Sequence, residues 1–340
     1  MSKNSIRLVA ATHVGLVRTN NEDNFVVSPD LSRDDWFIPE DVSKAIDLGE
    51  QGCLLVVADG MGGMNAGEVA SAIAIETVQQ EFRSNDLKAI THSSKSIESF
   101  MKSVVMKADE VMKSRVKQEP STKGMGTTLI MVWVVSSSAH LVWCGDSRAY
   151  LFNPAFGLTR ISKDHSYVQQ LVDAGKLDED LAFDHPDSNI ITRCLGDFSE
   201  KAKPDYRQYQ LRTGDIVMLC SDGLCAYCRD EEILSVINQF HSALSECIRQ
   251  LVQHALDAGG YDNVTVAMLQ IVETETEIDE KNATAQSNGT LTFLRHHHLI
   301  AFCLVILALL LVGGILLYWK NSDIHRIAKP FVEVIINHFN

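Results

Sequence analysis

Five short carboxylate-bearing motifs are spread along most of the chain, and only a fold that gathers them can make them one site. They are RTNNED at 18–23, DGMGG at 59–63, GDSR at 145–148, SDG at 221–223 and DN at 262–263. No single helix presents side chains so distant in sequence on one face. Carboxylates gathered in one pocket repel each other unless cations lie between them. The sequence therefore predicts a metal site with oxygen ligands.

Three of the acids stand next to predicted buried strands. The run CLLVVA precedes Asp59, IVMLCS precedes Asp222, and VTVAMLQIV begins just after Asp262. A side chain at the end of a strand leaves the core in a fixed position. A single Asp-Gly pair is usually no more than a turn. Three such acids facing one place would instead bind two divalent cations.

Arg18 lies in the same short loop as Glu22 and Asp23. A guanidinium beside metal ions suits a phosphate ester, because the metals hold the attacking and leaving oxygens while the arginine binds the others. The alternative is a surface salt bridge in a strand connection.

The order of predicted elements favours an α+β fold. Strands are predicted at 6–12, 24–28, 53–58, 127–135, 140–144, 149–153, 215–219 and 264–272. Helices are predicted at 67–83, 96–116, 166–174, 230–239 and 241–258. Because helices come in blocks between runs of strands, antiparallel sheets are favoured over a doubly wound parallel sheet. The stretch 164–205 has little regular pattern, and it is either a flap beside the site or a surface excursion.

The C-terminal part predicts a membrane anchor. Residues 299–319 are uncharged and almost entirely aliphatic, long enough to cross a hydrocarbon core of about 30 Å. A polar linker at 273–298 precedes this span, and a short tail at 320–340 follows it. Positive charges after the span favour a cytoplasmic tail, whereas eight cysteines and an N-terminus without an apolar signal core favour a cytoplasmic domain at 1–272. We expect a single-pass membrane protein with its large domain in the cytoplasm.

Charge and cysteine spacing argue against several other partners and enzyme classes. A net charge of −14 disfavours nucleic acid and an anionic membrane surface as main partners, and with them a two-metal nuclease. None of the eight cysteines has an arginine six positions later, which a cysteine-dependent phosphatase would need.

In this order and spacing, the motifs resemble those of the metal-dependent protein phosphatases of type 2C, in their bacterial form. The resemblance covers roughly residues 5–272. It rests on GLVR with NED, DGMGG, GTT at 126–128, GDSRAY at 145–150, DHS at 164–166, SDGL at 221–224 and DNVT at 262–265.

The resemblance implies a four-layer α/β/β/α sandwich of two antiparallel sheets flanked by helices. It also implies two Mn²⁺ or Mg²⁺ ions and hydrolysis of phosphoserine and phosphothreonine in proteins by a metal-bridging water. Asp59 would bridge the metals, while Asp222 and Asp262 complete the ligands of one. The implied metal ligands are Glu22, Asp23, Asp59, Gly60, Asp222 and Asp262, and the implied catalytic residues are Arg18, Asp59, Asp222 and Asp262.

Within that set, the less direct roles are also implied by the resemblance. The Gly60 carbonyl would reach the second metal, Glu22 and Asp23 would act largely through bound waters, and Arg18 would hold the phosphate. The implied partners are phosphorylated proteins and an opposing bacterial Ser/Thr kinase, with the membrane contacted through 299–319 in the bacterial inner membrane. The alternative function is a catalytically weak phosphatase-fold sensor or scaffold.

Two positions depart from the family pattern. Met61 stands where some relatives have a histidine that acts as a general acid, so the proton donor is left open. Asp146 matches a third-metal ligand of bacterial relatives, but Ala226 stands where the partner acid would be. Asp146 is therefore either a candidate third-metal ligand or a residue that positions the core.

Overall fold

Two antiparallel sheets pack face to face in the computed structural model, which describes residues 5–36, 44–62, 66–196 and 201–272. The chain divides into compact units of Met1–Thr274 and Glu275–Asn340, and every described residue lies in the first. The predicted linker, membrane span at 299–319 and tail fall outside the described residues. Within the described part of the chain, no helix is both long and apolar enough to cross a membrane.

The described residues form twelve strands, eight helices and two short 3-10 turns at Leu31–Arg33 and Pro120–Thr122. The strands are β1 (Ser5–His13), β2 (Asp23–Ser28), β3 (Ile46–Asp47), β4 (Cys53–Met61), β5 (Gly126–Thr127), β6 (Leu129–Val135), β7 (Ser138–Cys144), β8 (Arg148–Asn153), β9 (Gly157–Arg160), β10 (Asp205–Gln210), β11 (Ile216–Cys220) and β12 (Val264–Val272). The helices are α1 (Ala66–Ser84), α2 (Leu87–Ile90), α3 (Ser94–Gln118), α4 (Tyr167–Asp173), α5 (Glu179–Ala182), α6 (Asp222–Cys225), α7 (Asp230–Phe240) and α8 (Leu244–Asp257).

The strand order brings distant parts of the chain together at one end of the sheets. The first sheet has the order β3-β1-β12-β11-β8-β9, and the second has β10-β7-β6-β4-β2 with β5 paired to the end of β4. β1 and β12 pair over their whole length, from Ser5 opposite Val272 to His13 opposite Val264. This register places the loop after β1 beside the loop before β12.

The core has three apolar layers, one between the sheets and one under the helices on each outer face. Strand β4 contributes to two of them, because Leu55 and Val57 face the opposite sheet while Leu54 and Val56 face α1 and α3. A strand covered on both faces needs no polar alternation, which explains the unbroken run CLLVVA. On the other face, α8 buries Leu244, Cys247, Ile248, Leu251 and Ala255 at helical spacing.

The predicted α+β class and the two helix-flanked antiparallel sheets are confirmed. The strand predicted at 127–135 is interrupted at Thr128, between β5 and β6. Strand β10 was not predicted, because its sequence DYRQYQ is polar and mostly exposed at the edge of the second sheet. The helix predicted at 241–258 begins only at Leu244, because His241 caps α7.

Candidate metal centre

A cleft of about 680 Å³ opens where the sheets end. Most of the acids predicted from sequence line it, since β4, β7 and β11 end at this edge and β12 begins there. The predicted site residues in its wall are Arg18, Glu22, Asp59, Gly60, Asp146, Asp222 and Asp262.

Asp59 is fixed through its backbone near the end of β4. Its N–H donates to the Thr128 hydroxyl at 3.0 Å, and its carbonyl accepts from the Thr128 N–H at 2.9 Å. The carbonyl also accepts from the Thr127 hydroxyl at 2.8 Å. The Thr128 hydroxyl shares a further 2.7 Å hydrogen bond with Ser147 in the GDSR motif. The break in the strand at Thr128 therefore holds two acidic motifs together.

The residue after Asp59 has to be glycine. A Cβ at Gly60 would lie 2.2 Å from the Gly67 carbonyl oxygen and 2.5 Å from that of Glu22. The Gly60 N–H also donates to the Glu22 carbonyl at 3.2 Å. Only a residue without a side chain lets these three segments approach so closely.

Asp23 lies behind the cleft wall rather than in it. It is the first residue of β2, directly opposite Asp59, and it is 9% exposed. Its carboxylate accepts a 2.7 Å hydrogen bond from the Ser221 hydroxyl, and the Ser221 oxygen in turn accepts from the Thr265 N–H at 2.9 Å. Asp23 thus supports the segment that carries Asp222.

Asn263 organises the loop that carries Arg18 and Glu22. Its side-chain oxygen accepts from the Glu22 N–H at 2.8 Å, and its amide donates to the carbonyls of Val14 at 2.8 Å and Asn20 at 2.9 Å. Sequence analysis gave Asn263 no role of its own. Its place directly after Asp262 was the available signal, but its partners lie more than 240 positions away in the sequence.

Arg18 reaches the acids through a salt bridge. One terminal nitrogen donates to Asp262 Oδ2 at 2.8 Å, and the arginine side chain is 48% exposed. A guanidinium has five N–H donors, and Asp262 is the only hydrogen-bond acceptor it meets among the described residues, so the other donors can bind an anion in the cleft. Arg18 thus forms the salt bridge that the sequence offered as its alternative role, and the bridge lies in the cleft wall.

Burial and mutual repulsion disturb the titration of the gathered acids. Burial, and then the charges of Asp222, Asp23 and Asp146, raise the pKa of Asp59 well above its usual range. Burial raises the pKa of Asp23 to about 8, against the effect of its hydroxyl partners, and burial followed by Asp262 raises the pKa of Asp222 to about 6. Negative charge is therefore costly here without a cation.

The donor set fits hard divalent cations. Asp59 and Asp222 both line the cleft, and the negative charge of Asp222 contributes to the raised pKa of Asp59. Asp146 is 8% exposed, and within the described part of the chain its buried Oδ1 has no hydrogen-bond partner. Among the described residues, no three Asp, Glu, His or Cys side chains yet surround one point as ligands would. Hard cations such as Mg²⁺ bind through carboxylate oxygens and water, and a cation between these acids would offset their mutual repulsion.

The outer cleft is bounded by residues 161–196, here called the flap, and by the start of α7. Arg148 forms a bidentate pair with Asp164 at the base of the flap, with a shortest distance of 2.7 Å. Tyr227 lines the cleft, and its ring lies 5.6 Å from that of Tyr261. Met61 also lines the cleft, and none of the described lining residues is a histidine.

Comparison with known proteins agrees with this geometry. The family model for protein phosphatase 2C matches residues 33–259. The serine/threonine protein phosphatase PstP of Mycobacterium tuberculosis is 33% identical over 271 residues, which is 79% of this chain and 45% of that protein. The chain thus matches less than half the length of this curated relative.

Solved structures extend the likeness to the fold. The Mycobacterium tuberculosis PstP structure is 33% identical, with a TM-score of 0.65, and the match covers 79% of this chain and 100% of that one. The PstP catalytic domain has also been solved in complex with two manganese ions. The Streptococcus agalactiae serine/threonine phosphatase is 28% identical with a TM-score of 0.67, over 79% of this chain and 100% of that one. The chain therefore belongs to the protein phosphatase 2C family.

Proposed function

We propose that this protein hydrolyses phosphoserine and phosphothreonine in proteins, with two Mn²⁺ or Mg²⁺ ions in the cleft. One observation carries the proposal: Asp59, Asp222 and Asp262 converge from separate strands at a single cleft that Arg18 also enters. Family membership and the two manganese ions in PstP support it.

The residues divide the work of binding between metal and phosphate. Asp59, Asp222 and Asp262 would hold the cations, with the Gly60 carbonyl and Glu22 at the edge of the same wall. The cations supply Lewis-acid activation of water and neutralise charge on the phosphoryl oxygens. Arg18 binds the remaining phosphoryl oxygens, because Asp262 already orients its guanidinium toward the site.

Two roles are assigned to neighbouring residues. Asp23 keeps the Asp222 segment in place through Ser221, and it would reach the cations only through water. The buried Asp146 Oδ1, which has no partner among the residues that the structure describes, is the candidate ligand for a third cation. Met61 has no acidic proton at the position where some relatives have histidine, so water in the cleft would protonate the leaving serine or threonine oxygen.

The decisive experiment is hydrolysis of a phosphothreonine peptide by the full chain, with Mn²⁺ or with a chelator. We expect activity that needs the metal and that Asp222→Asn abolishes. Asp215→Asn is the matched control, because Asp215 is also buried, accepts the Arg212 N–H at 2.8 Å and lies outside the cleft wall. An inactive wild type that binds Mn²⁺ would favour the sensor or scaffold function instead.

We further propose that residues 299–319 anchor the protein in a membrane, with the phosphatase domain in the cytoplasm, where it opposes a Ser/Thr kinase. The support is the apolar, uncharged sequence of that segment. Tethering would raise the local concentration of the enzyme near membrane-bound substrates. Removal of all residues after 272 should move the protein from the membrane fraction to the soluble fraction and leave it active. A truncated protein that stays with the membrane would contradict the anchor.

A further inference from the structure

Asp109 is a buried carboxylate on α3, outside the cleft wall, that holds the return of the flap. It is 3% exposed. Its Oδ1 accepts from the Gly196 N–H at 2.9 Å, and its Oδ2 accepts from the Ala202 N–H at 3.1 Å and from Lys113 Nζ at 2.8 Å. One carboxylate therefore satisfies two backbone amides that are six positions apart. Because the two amides bond to different oxygens, an asparagine here would turn its NH2 group toward one of these N–H donors.

From Gly196 a short hydrogen-bonded path leads to the metal centre. The preceding residue, Leu195, is fully buried and exchanges two backbone hydrogen bonds with Thr127, at 2.9 and 3.2 Å. The Thr127 hydroxyl donates to the Asp59 carbonyl at 2.8 Å. Asp109 is thus joined to the backbone of Asp59 through the last residues of the flap and through β5.

This path has little room to move. Gly196 has φ +88°, which only glycine adopts without strain, and a Cβ there would lie 2.6 Å from the Met125 carbonyl oxygen. A side chain at Gly196 would therefore displace the segment that pairs with Thr127 through Leu195.

The same flap forms the outer wall of the cleft. Ile191 lines the cleft five residues before Gly196, and its backbone bridges to Ser166 at the start of the flap helix. The Thr192 N–H donates to the His165 carbonyl at 2.7 Å. The two ends of the flap are hence tied together, and the end near Gly196 is tied to Asp109.

We propose that Asp109 is a positioning residue that sets both the flap wall and the Asp59 backbone, so that metal affinity and substrate affinity depend on it although it touches neither ligand. The expected change in peptide KM rests on the proposed phosphatase function, whereas the expected change in Mn²⁺ affinity does not. Partners that orient metal ligands commonly change metal affinity by ten- to a hundredfold when they are mutated.

The test uses the full chain in detergent with Asp109→Asn, which removes one acceptor and turns an amide toward an N–H donor. Mn²⁺ affinity is measured by calorimetry, and KM and kcat are measured with a phosphothreonine peptide. The melting temperature of the metal-free protein is measured as well. We expect the Mn²⁺ Kd and the peptide KM to rise about tenfold. The control is Asp215→Asn, which removes a similarly buried carboxylate that also accepts a backbone amide, with urea added to equalise stability. In the control both constants should stay within about twofold.

Two outcomes would overturn the proposal. A folded Asp109→Asn variant with both constants within about twofold of wild type would overturn the proposal. Equal changes in Asp215→Asn would also overturn it, since general loosening would then explain the effect. If Asp109→Asn does not fold, Gly196→Ala takes its place with the same expected shifts, because it strains the path while Asp109 is intact. If wild type binds Mn²⁺ but cleaves no phosphopeptide, the proposed function fails and the Mn²⁺ Kd alone decides the role of Asp109.

Discussion

Replacement of Asn263 by alanine should damage stability and substrate binding together. Asn263 is 3% exposed and makes three side-chain hydrogen bonds of 2.8 to 2.9 Å to backbone groups of the loop after β1. That loop carries Arg18 and Glu22 into the cleft. Alanine leaves all three backbone groups without this partner, and the loop stays tied to the segment before β12 only through Leu16 N–H to the Gly260 carbonyl at 2.7 Å and Arg18 to Asp262 among the bonds of the described residues.

The magnitude follows from the bonds that are lost. Each hydrogen bond contributes about 1 kcal/mol net, so Asn263→Ala should lower the free energy of unfolding by about 3 kcal/mol. The neighbouring Leu16 is 66% exposed, so water can reach parts of the loop and limit the loss. For a domain of this size, about 3 kcal/mol corresponds to a fall in Tm of about 6 to 12 °C. If Arg18 loses its orientation, one charge-assisted contact of about 1.4 kcal/mol raises KM about tenfold.

The assay combines urea unfolding of metal-free protein with peptide kinetics at saturating Mn²⁺. Asn85→Ala is the matched control, because Asn85 is exposed and donates to the Glu81 carbonyl far from the cleft. The control should change the unfolding free energy by less than about 1 kcal/mol and leave KM unchanged. If Asn263→Ala lost less than about 1 kcal/mol, or kept the wild-type KM, the loop would not depend on this side chain and the reasoning would be wrong.

Three further predictions concern charge in the cleft. Arg18→Ala should raise KM about tenfold with a smaller effect on kcat, while Arg18→Lys should keep part of the affinity; an unchanged KM would remove Arg18 from phosphate binding. In metal-free protein, the raised pKa values of Asp23 (about 8) and Asp222 (about 6) mean that the folded state holds more protons than the unfolded state from about pH 4 to 8. The free energy of unfolding should therefore fall as pH rises through that window, by up to about 1.4 kcal/mol per pH unit for each group. Mn²⁺ should accordingly stabilise the protein more at pH 8 than at pH 5. If chemical denaturation in the presence of a chelator showed stability rising over this range, this reasoning would be wrong. Asp180 and Glu231 line the outer cleft without an ion pair among the described residues, whereas Arg160 there is paired with Glu179. At low salt, phosphothreonine peptides flanked by lysine should therefore show a higher kcat/KM than peptides flanked by glutamate. Equal values would exclude this preference.

Much of the secondary structure could be predicted from the sequence because it depends on local pattern. The buried run before Asp59 appears as β4, and the periodic stretch 96–116 appears within α3. The missed strand has a clear cause. Strand β10 is defined by its pairing with β7, and its own residues carry no apolar alternation. Pairing with a distant strand leaves little trace in a short polar segment.

From the sequence, it was possible to predict which acids form the candidate site and that they lie at the ends of strands. The acids stand where apolar runs stop, so their convergence at one edge could be expected once the sheets were antiparallel. The sequence did not separate Glu22 from Asp23, although the structure places Glu22 in the cleft wall and Asp23 behind it. Successive residues of an extended chain point to opposite faces, so a shift of one position changes which acid faces the cleft.

The sequence by itself determined the protein family, the number and kind of acids, and the elements that carry them. Only the tertiary structure decided that Asn263 holds the Arg18 loop and that Asp109 is joined to Asp59 through Leu195 and Thr127. The physical reason is that such hydrogen bonds join groups up to 249 positions apart. They exist only after β1 has paired with β12 and the flap has returned to α3, and no local pattern records which side chains will then meet.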